Sequence, residues 1–487
     1  MMIDLNGREK TIYIICLIIV LILSCSPRST RWGLPQHEYT YQVPEKIDDG
    51  WEHSDLKAES VDPKKINELM ENILKGDINN IHSILLVKNG KLIFEEYFYG
   101  YNRDTSHYLA SVTKSIASAL VGIAIDQNYI EGISQGGLDK TVLELFPEYE
   151  NVIRSDVGKE NLLFRHILSM TSGLDWDEQT HSYLNPLNDM YQARISNDSI
   201  RYLLKKPVIV KPGSNFNYNS MLTVMLTRII AKNSGKLTNE FAELYLFNPL
   251  GIDSYSWDRL EDGSLDATGG LHMRPRDMAK IGYLFLNDGK WKEKSIISKE
   301  WITESTKART TDDLEHGYGY QWRSAKVTIS NQTIDTYWAS GHGGQGIYIF
   351  PTLDLVGVFT SKVWDNSLGS FRPSGILKHY IIPAMLPPAH PRKIIKLGQN
   401  ALDRYVGKYK LKLSDVPLII FRKEDKLFVP TPYREFVELF PESEYRFFGI
   451  SKEFGGTQFD FTKDEKGNIQ KVLIHMGFGR ILYEKIE

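Results

Sequence analysis

The chain is poor in cysteine, because Cys16 and Cys25 are the only two among 487 residues and both lie at the N-terminus. The rest of the sequence therefore holds neither an internal disulfide nor a zinc or iron-sulfur site built from cysteine. A surplus of charge is also lacking, since 58 lysines and arginines stand against 61 acidic residues and give a net charge of −3. This balance gives no support to nucleic-acid binding.

The sequence has no Walker loop, no Rossmann glycine fingerprint in the right context and no His-Glu helix pair. Its 12 histidines are scattered, so we expect no metal and no cofactor. Apolar residues, in contrast, are plentiful: 42% of the chain is hydrophobic and 11% aromatic, which excludes fibrous and disordered classes. The length of 487 residues predicts about two or three domains.

The first 25 residues have the pattern of an export signal. Arg8 and Lys10 precede an apolar run over residues 11–23, which is shorter than the about 20 residues that a membrane-spanning helix needs. The run ends in Ile22-Leu23-Ser24-Cys25, which resembles a bacterial lipobox and implies lipidation of Cys25. The alternative is an uncleaved anchor with an incidental cysteine. We therefore expect a signal peptide over residues 1–25 and a lipid-anchored protein in the bacterial cell envelope, on the periplasmic or outer face.

Composition divides the remaining chain into four parts. We predict a tether and N-terminal extension over residues 26–60, a main domain over 61–386, a proline-rich linker over 387–397 and a β-rich domain over 398–487. Short strands alternate with turns in the last part, which is typical of a small β-sandwich or barrel. Seven strands are predicted there: 406–411, 418–421, 426–429, 436–440, 458–461, 469–474 and 480–485.

The main domain begins and ends with β patterns. Residues 84–87 and 92–97 flank Asn89-Gly90, the signal of a hairpin with a tight turn. A helical block then extends with loops to about Gly289. Strand patterns return at 333–338, 346–350 and 355–360, so a mostly helical segment separates two groups of strands.

Two Ser-x-x-Lys tetrads, Ser111 to Lys114 and Ser54 to Lys57, match the about two that chance predicts in a chain this long. Apolar residues recur behind Ser111 at helical spacing: Val112, Ile116, Ala119, Leu120 and Ile123. Ser111 therefore caps the start of a buried helix, where free N–H groups favour an oxyanion and Lys114 shares the same face. The local pattern also allows a plain capping serine with an exposed lysine. Ser54 has no such helix behind it.

Four segments occur in the order seen in the serine β-lactamase-like hydrolase family: Tyr108-Leu-Ala-Ser111-Val-Thr-Lys114-Ser115, Arg165-His166-Ile-Leu-Ser-Met-Thr-Ser-Gly173-Leu, Lys211-Pro-Gly213-Ser-Asn-Phe-Asn-Tyr218-Asn-Ser220 and Gly341-His342-Gly343-Gly344-Gln345-Gly346. The family includes class C β-lactamases, D-alanyl-D-alanine peptidases, family VIII esterases and 6-aminohexanoate-dimer hydrolases. The resemblance implies an α/β fold in which an antiparallel sheet is flanked by helices and interrupted by a mostly helical insertion. The C-terminal domain resembles the lipocalin-like tails appended to some members.

The resemblance also implies roles for individual residues. Ser111 would be the acylated nucleophile, Lys114 the base that activates it, and Tyr218 the group that moves a proton to the leaving group and later activates water. The backbone N–H groups of Ser111 and Gln345 would form the oxyanion hole. His166, which lies in the second motif, is interpreted as structural.

The remaining motif residues are expected to bind substrate. His342, Gly343 and Gly344 match the Lys-Thr-Gly element in its His-x-Gly form, and Ser220 stands where class C enzymes have asparagine. No Glu-x-x-Leu-Asn segment is present; His181-Ser-Tyr-Leu184-Asn185 comes nearest, so a class A deacylation base is absent. Both departures favour an esterase or amidase.

The sequence thus predicts a serine hydrolase that acts outside the cytoplasm on a small ester, amide or peptide. A true β-lactamase is one alternative. The other is a catalytically idle module that keeps the fold of a penicillin-recognising protein for binding or sensing. An intact set of Ser111, Lys114 and Tyr218 argues against the idle module.

Overall fold

The computed structural model describes residues 39–330, 332–362, 372–387, 392–411, 414–430, 436–451 and 455–486. The predicted signal peptide and Cys25 lie outside these residues. Among the helices of the described part, none is both long and apolar enough to cross a membrane.

The helices of the described residues concentrate between residues 112 and 306. They are α1 (Pro63–Leu74), α2 (Val112–Asp126), α3 (Val142–Leu145), α4 (Glu150–Ile153), α5 (Phe164–Leu168), α6 (Asp189–Arg194), α7 (Ser199–Lys205), α8 (Met221–Ser234), α9 (Thr238–Ala242), α10 (Pro275–Leu286), α11 (Lys299–Thr306), α12 (Arg372–Ile376) and α13 (Gln399–Leu402).

The strands fall into a main sheet, two small sheets and a barrel. They are β1 (Glu52–His53), β2 (Ile81–Lys88), β3 (Lys91–Tyr97), β4 (His107–Tyr108), β5 (Tyr255–Trp257), β6 (Leu271–Met273), β7 (Lys290–Trp291), β8 (Lys294–Ser295), β9 (Thr310–Thr311), β10 (Gly317–Tyr318), β11 (Arg323–Ile329), β12 (Gln332–Gly341), β13 (Gln345–Phe350), β14 (Leu355–Ser361), β15 (Gly407–Leu411), β16 (Ser414–Lys423), β17 (Lys426–Pro430), β18 (Phe436–Pro441), β19 (Arg446–Ser451), β20 (Gly455–Lys463), β21 (Ile469–Met476) and β22 (Gly479–Lys485).

Nine described strands form the main sheet in the order β1-β3-β2-β14-β13-β12-β11-β10-β9. Asn89 and Gly90, with φ of 51° and 76°, make the predicted tight turn between β2 and β3, because both positions of such a turn need positive φ. The pairing of β14 with β2 joins the strands from the beginning and from the end of the main domain in one sheet. This confirms the predicted α/β fold with a helical insertion.

Helix α2 is buried along almost its whole length, because one side faces the sheet and another faces α8. Its polar residues are satisfied within the core: Ser115 Oγ donates to Gln321 O at 2.6 Å and Ser118 Oγ to Tyr320 O at 2.7 Å. A helix held on all sides keeps its first turn in a fixed position, and that turn carries Ser111 and Lys114.

Strands β15 to β22 close into a barrel, which confirms a small all-β domain at the C-terminus. Its interior is filled by side chains such as Tyr409, Phe447 and Phe461, all nearly inaccessible to solvent. The barrel contains one strand more than the seven predicted, because β19 was not anticipated.

Candidate active site

Ser111 immediately precedes α2, and Ala110 before it has a φ of +47°. Non-glycine residues seldom adopt this conformation unless the surrounding fold enforces it. Gly341, the last residue of β12, makes the required room: a Cβ there would lie 2.4 Å from Leu109 O and 3.1 Å from Ser111 N. The nucleophile candidate and the fourth sequence motif are therefore in direct contact.

Lys114 lies one turn into α2 and its side chain is 2% exposed. Its Nζ is 3.1 Å from Ser111 Oγ and 2.5 Å from Thr268 O. An amine that donates to a carbonyl on one side still has a position for a hydroxyl on the other. In its neutral form such an amine can accept the proton of the hydroxyl.

A second loop holds Lys114 from the opposite side, and sequence reasoning did not assign it a role. The buried carboxylate of Asp266 accepts hydrogen bonds from the N–H and the hydroxyl of Thr268, which fixes the carbonyl that Lys114 contacts. Arg194 forms an ion pair with Asp266 at 2.8 Å. The only sequence signal was the neighbouring Gly269-Gly270-Leu271, whose small residues allow close backbone approach.

Tyr218 is 8% exposed, and its ring centroid lies 5.2 Å from Lys114 Nζ. Two contacts with Met170 fix this segment: Asn217 N donates to the backbone Met170 O at 2.8 Å, and Asn219 N lies 3.4 Å from the side-chain Met170 Sδ. The structure therefore brings Ser111 and Lys114 of the first motif together with Tyr218 of the third. The guanidinium carbon of Arg323 lies 5.7 Å from the same ring centroid.

His342, Gly343 and Gly344 form the turn between β12 and β13, and both glycines have positive φ, of 82° and 89°. His342 is exposed at the rim and packs edge-on against Tyr183 at 6.2 Å. Although part of the side chain reaches solvent, the protein around the imidazole removes water from it. This desolvation disfavours the charged form and lowers the pKa of His342 below 6.5. The Gln345 side chain is buried and donates to Ser361 O at 2.5 Å, so it is held away from solvent.

Glu178 is a buried carboxylate beside this cluster that sequence reasoning missed. Ser220 N donates to its Oε2 at 2.7 Å, Ser220 Oγ to its Oε1 at 2.6 Å, and Trp176 Nε1 to Oε2 at 2.8 Å. Burial raises the pKa of Glu178, and the nearby charge of Lys114 offsets only part of this rise. Ser220, expected to bind substrate, thus has its hydroxyl engaged by Glu178 and is 1% exposed.

His166 packs against Gly213, which lies in the same motif as Tyr218. Its Nδ1 accepts a hydrogen bond from Leu163 N at 3.2 Å, and a Cβ on Gly213 would come within 2.7 Å of its Nε2. Burial lowers its pKa, which favours the neutral ring. These contacts agree with the structural interpretation. Nowhere in the described residues do three His, Cys, Asp or Glu side chains gather as metal ligands would.

The structure thus defines a class of fold: an α/β protein in which a serine at a helix N-terminus faces a lysine one turn on. Comparison with known proteins identifies the family within that class. The profile of the Beta-lactamase family matches residues 80–376, more than half of the chain, so the chain belongs to the beta-lactamase family. It is a hydrolase of that family related to amide hydrolases.

Individual relatives are distant. The 6-aminohexanoate-dimer hydrolase of Paenarthrobacter ureafaciens is 24% identical over 297 residues, which cover 56% of this chain and 70% of that protein. An octameric penicillin-binding protein homologue from Pyrococcus abyssi is 18% identical with a TM-score of 0.54, over 86% of this chain and 99% of the other. The hydrolase EstCE1 is 16% identical with a TM-score of 0.51, over 63% and 94%. The two structures share the fold.

Proposed function

We propose that this protein is a serine hydrolase that cleaves small esters or amides through an acyl-enzyme on Ser111. One observation carries the proposal: Lys114 Nζ is 3.1 Å from Ser111 Oγ at the start of α2, with the Tyr218 ring 5.2 Å from the same nitrogen. A hydroxyl hydrogen-bonded to an amine, with a tyrosine ring packed against that amine, supplies the groups that can pass a proton between nucleophile and leaving group.

In the acylation step, the neutral amine of Lys114 accepts the proton of Ser111 Oγ while the oxygen bonds to the substrate carbonyl carbon. The carbonyl oxygen becomes an oxyanion, which the backbone N–H groups of Ser111 and Gln345 stabilise at the positive end of α2. Collapse of this intermediate breaks the bond to the alcohol or amine. Tyr218 donates its phenolic proton to that leaving group and becomes a tyrosinate, while Lys114 keeps the serine proton and the acyl group remains on Ser111.

Deacylation reverses the proton path. A water molecule gives a proton to Tyr218 as its oxygen attacks the acyl carbon, and the same N–H groups hold the new oxyanion. When the carbon–oxygen bond to Ser111 breaks, the Lys114 ammonium returns the proton to the serine and the carboxylic acid leaves. The step consumes one water and restores the starting state.

The preferred substrate in this proposal is neutral and small. His342, Gly343 and Gly344 would line the acyl side of the cleft, and an imidazole with a lowered pKa offers no fixed positive charge for a substrate carboxylate. Ser220 lacks the side-chain amide of an asparagine, and its hydroxyl already donates to Glu178, so it offers no donor to a lactam side chain. Likeness to a 6-aminohexanoate-dimer hydrolase supports an amide as the bond.

The proposal extends to location. The basic start, the short apolar run and Cys25 together support export and lipid anchoring at the cell envelope. A substrate in that compartment would reach the enzyme from outside the cytoplasm.

Labelling with a fluorophosphonate tests the mechanism directly. We expect the reagent to form one adduct, which mass spectrometry locates on Ser111, and to leave the Ser111→Ala variant unlabelled. The other Ser-x-x-Lys tetrad provides a matched control, because Ser54 lies outside any helix and Ser54→Ala should label like the wild type. An adduct elsewhere, or none under conditions that label a known serine hydrolase, would contradict the proposal.

A further inference from the structure

The C-terminal barrel contacts the main domain through the turn between β21 and β22. Phe478 at the tip of this turn is only 9% exposed. Its ring centroid lies 5.7 Å from Trp338, 5.8 Å from Tyr348 and 5.9 Å from Phe350, all of them in β12 and β13. The barrel therefore inserts an aromatic side chain into the core behind the main sheet.

The two residues after Phe478 hold a loop of the main domain. A Cβ on Gly479 would lie 2.5 Å from His316 Nε2, so the turn is in direct contact with that imidazole. Arg480 N donates to Leu314 O at 3.1 Å, and the Arg480 side chain forms an ion pair with Glu315. The loop over residues 312–316 is thus fixed from the side of the barrel.

Asp312 connects this loop to the active site. Its Oδ1 accepts from His316 N at 2.9 Å, while its Oδ2 lies 3.0 Å from His316 Nδ1 and accepts from Arg323 Nε at 2.9 Å. Burial alone would raise the pKa of Asp312, but the hydrogen bonds from His316 and the charge of Arg323 hold it well below its usual range. An ionised, buried carboxylate with fixed donors orients the guanidinium firmly.

Arg323 completes the path to Tyr218. Its guanidinium carbon lies 5.7 Å from the Tyr218 ring centroid and 5.6 Å from that of Tyr318, within the range of a cation–π contact. Its Nη1 donates to Ser340 Oγ at 3.2 Å, one residue before Gly341. Arg323 therefore contacts both the ring of the proposed proton carrier and the strand end beside the nucleophile.

We propose that the hairpin turn of the barrel, Gly477 to Arg480, is a positioning element of the active site. It fixes His316 and Asp312, and through them it holds Arg323 against the Tyr218 ring. This inference rests on the proposed function, in which Tyr218 transfers a proton to the leaving group. Arg323 and the hairpin position the catalytic tyrosine and do not touch the reacting atoms.

The test compares Phe478→Ala with Phe436→Ala in the full chain. Phe436 is a barrel residue that is 65% exposed, so its variant removes the same side chain away from the interface. We expect Phe478→Ala to lower kcat for a short p-nitrophenyl ester by about ten- to a hundredfold, as a misplaced catalytic group does, with KM little changed. Fluorophosphonate labelling of Ser111 should keep its rate, because fluoride needs no proton from Tyr218. Phe436→Ala should match the wild type, and Phe478→Leu should recover most of the loss.

A readout without turnover separates this inference from the proposed function. In protein carrying 3-fluorotyrosine, the resonance missing from Tyr218→Phe identifies Tyr218, and Phe478→Ala should shift that resonance while Phe436→Ala leaves it unchanged. Gly479→Ala, whose Cβ would press on His316 and lie 3.2 Å from Leu314 O, should cause the same shift if Phe478→Ala fails to fold. A hairpin variant with a lower melting temperature but an unchanged Tyr218 resonance and kcat would overturn the inference. An inactive wild type would contradict the proposed function only, because the resonance still reports on Arg323 and Tyr218.

Discussion

Ser220 gives both of its hydrogen-bond donors to Glu178, through its N–H at 2.7 Å and its hydroxyl at 2.6 Å. Ser220 is the N-cap residue of α8. The carboxylate therefore lies at the positive end of that helix, where negative charge is stabilised. Trp176 supplies a third donor at 2.8 Å. The pair fixes the chain two residues after Tyr218 and so contributes to the position of that ring.

The first prediction concerns the pH dependence of stability in Glu178→Gln. Burial raises the folded-state pKa of Glu178 above 4.5, so the folded protein holds this proton to a higher pH than the unfolded chain does. The contribution of Glu178 to the free energy of unfolding therefore falls as the pH rises through 4.5 and on through the folded-state pKa. Urea unfolding between acidic and neutral pH should show the wild type losing stability relative to Glu178→Gln.

Asp177 next to it is the control with the opposite sign. Burial alone would raise the pKa of Asp177, but hydrogen bonds from Thr180 and Gln179 hold it below its usual value. Its contribution is present at neutral pH and disappears as the pH falls, so Asp177→Asn should lose stability relative to the wild type as the pH rises. Parallel pH curves for wild type and Glu178→Gln would contradict the burial argument.

Glu178 also shows why part of the site was not predictable from the sequence. The spacing of Ser111 and Lys114 on one helix face is local, so the sequence alone predicted their meeting, and the ordered motifs predicted Tyr218. Glu178 lies in an irregular segment with Asp177 and Gln179, where a glutamate resembles any surface residue. Its burial comes from tertiary contacts with Trp176 and Ser220.

For the fold as well, the features with a local sequence signal were predictable and those that depend on tertiary contacts were not. The hairpin at Asn89-Gly90 has a strong local signal, and it lies where it was expected. Strand β19 was missed because Phe447 points into the barrel while Phe448 packs outside against Phe440, so the strand lacks a clean alternation of apolar and polar residues. Closure of the barrel through the pairing of β15 with β22 joins residues far apart in sequence, which no local pattern reveals.

The second prediction tests the proposed catalytic set. Ser111→Ala should abolish turnover of a short p-nitrophenyl ester with little change in the melting temperature, because the hydroxyl is needed for acyl transfer only. Lys114→Ala should lower kcat by several orders of magnitude and Tyr218→Phe somewhat less. The double variant Lys114→Ala/Tyr218→Phe should lose less than the two effects combined, since the residues act as a unit. Comparable rates in Ser111→Ala and wild type would rule out Ser111 as the nucleophile.

The third prediction uses the close approach at Gly341. A Cβ there would lie 2.4 Å from Leu109 O and 3.1 Å from Ser111 N, so Gly341→Ala must displace the backbone at Ser111, the proposed nucleophile. We expect kcat to fall by about 10²-fold, the typical effect of a 1 Å misplacement of a reacting group. Gly375→Ala is the control, because a Cβ at that helical glycine meets nothing within 4 Å. Equal activity of both variants would show that the contact does not constrain Ser111.

The fourth prediction concerns Cys25. If the cysteine is lipidated, the mature protein should begin at Cys25 and partition with membranes through an acyl chain. The Cys25→Ser variant should not incorporate a palmitate analogue during metabolic labelling. The Cys16→Ser variant, which changes a residue within the signal, should be lipidated and cleaved like the wild type. Recovery of residues 1–24 on the mature wild-type protein would rule out the lipid anchor.

The last prediction concerns substrate choice and depends on His342. A lysine in this position would give a fixed positive charge for the carboxylate of a β-lactam or of a peptide C-terminus, whereas His342 has a pKa below 6.5 and is largely neutral at pH 7. Short-chain esters or neutral amides should therefore exceed penicillins and cephalosporins in kcat/KM. His342→Lys should narrow that difference, and His475→Lys on the outer face of the barrel should not. A wild-type enzyme that hydrolyses a cephalosporin faster than every short ester and amide would refute this substrate preference while leaving the role of Ser111 intact.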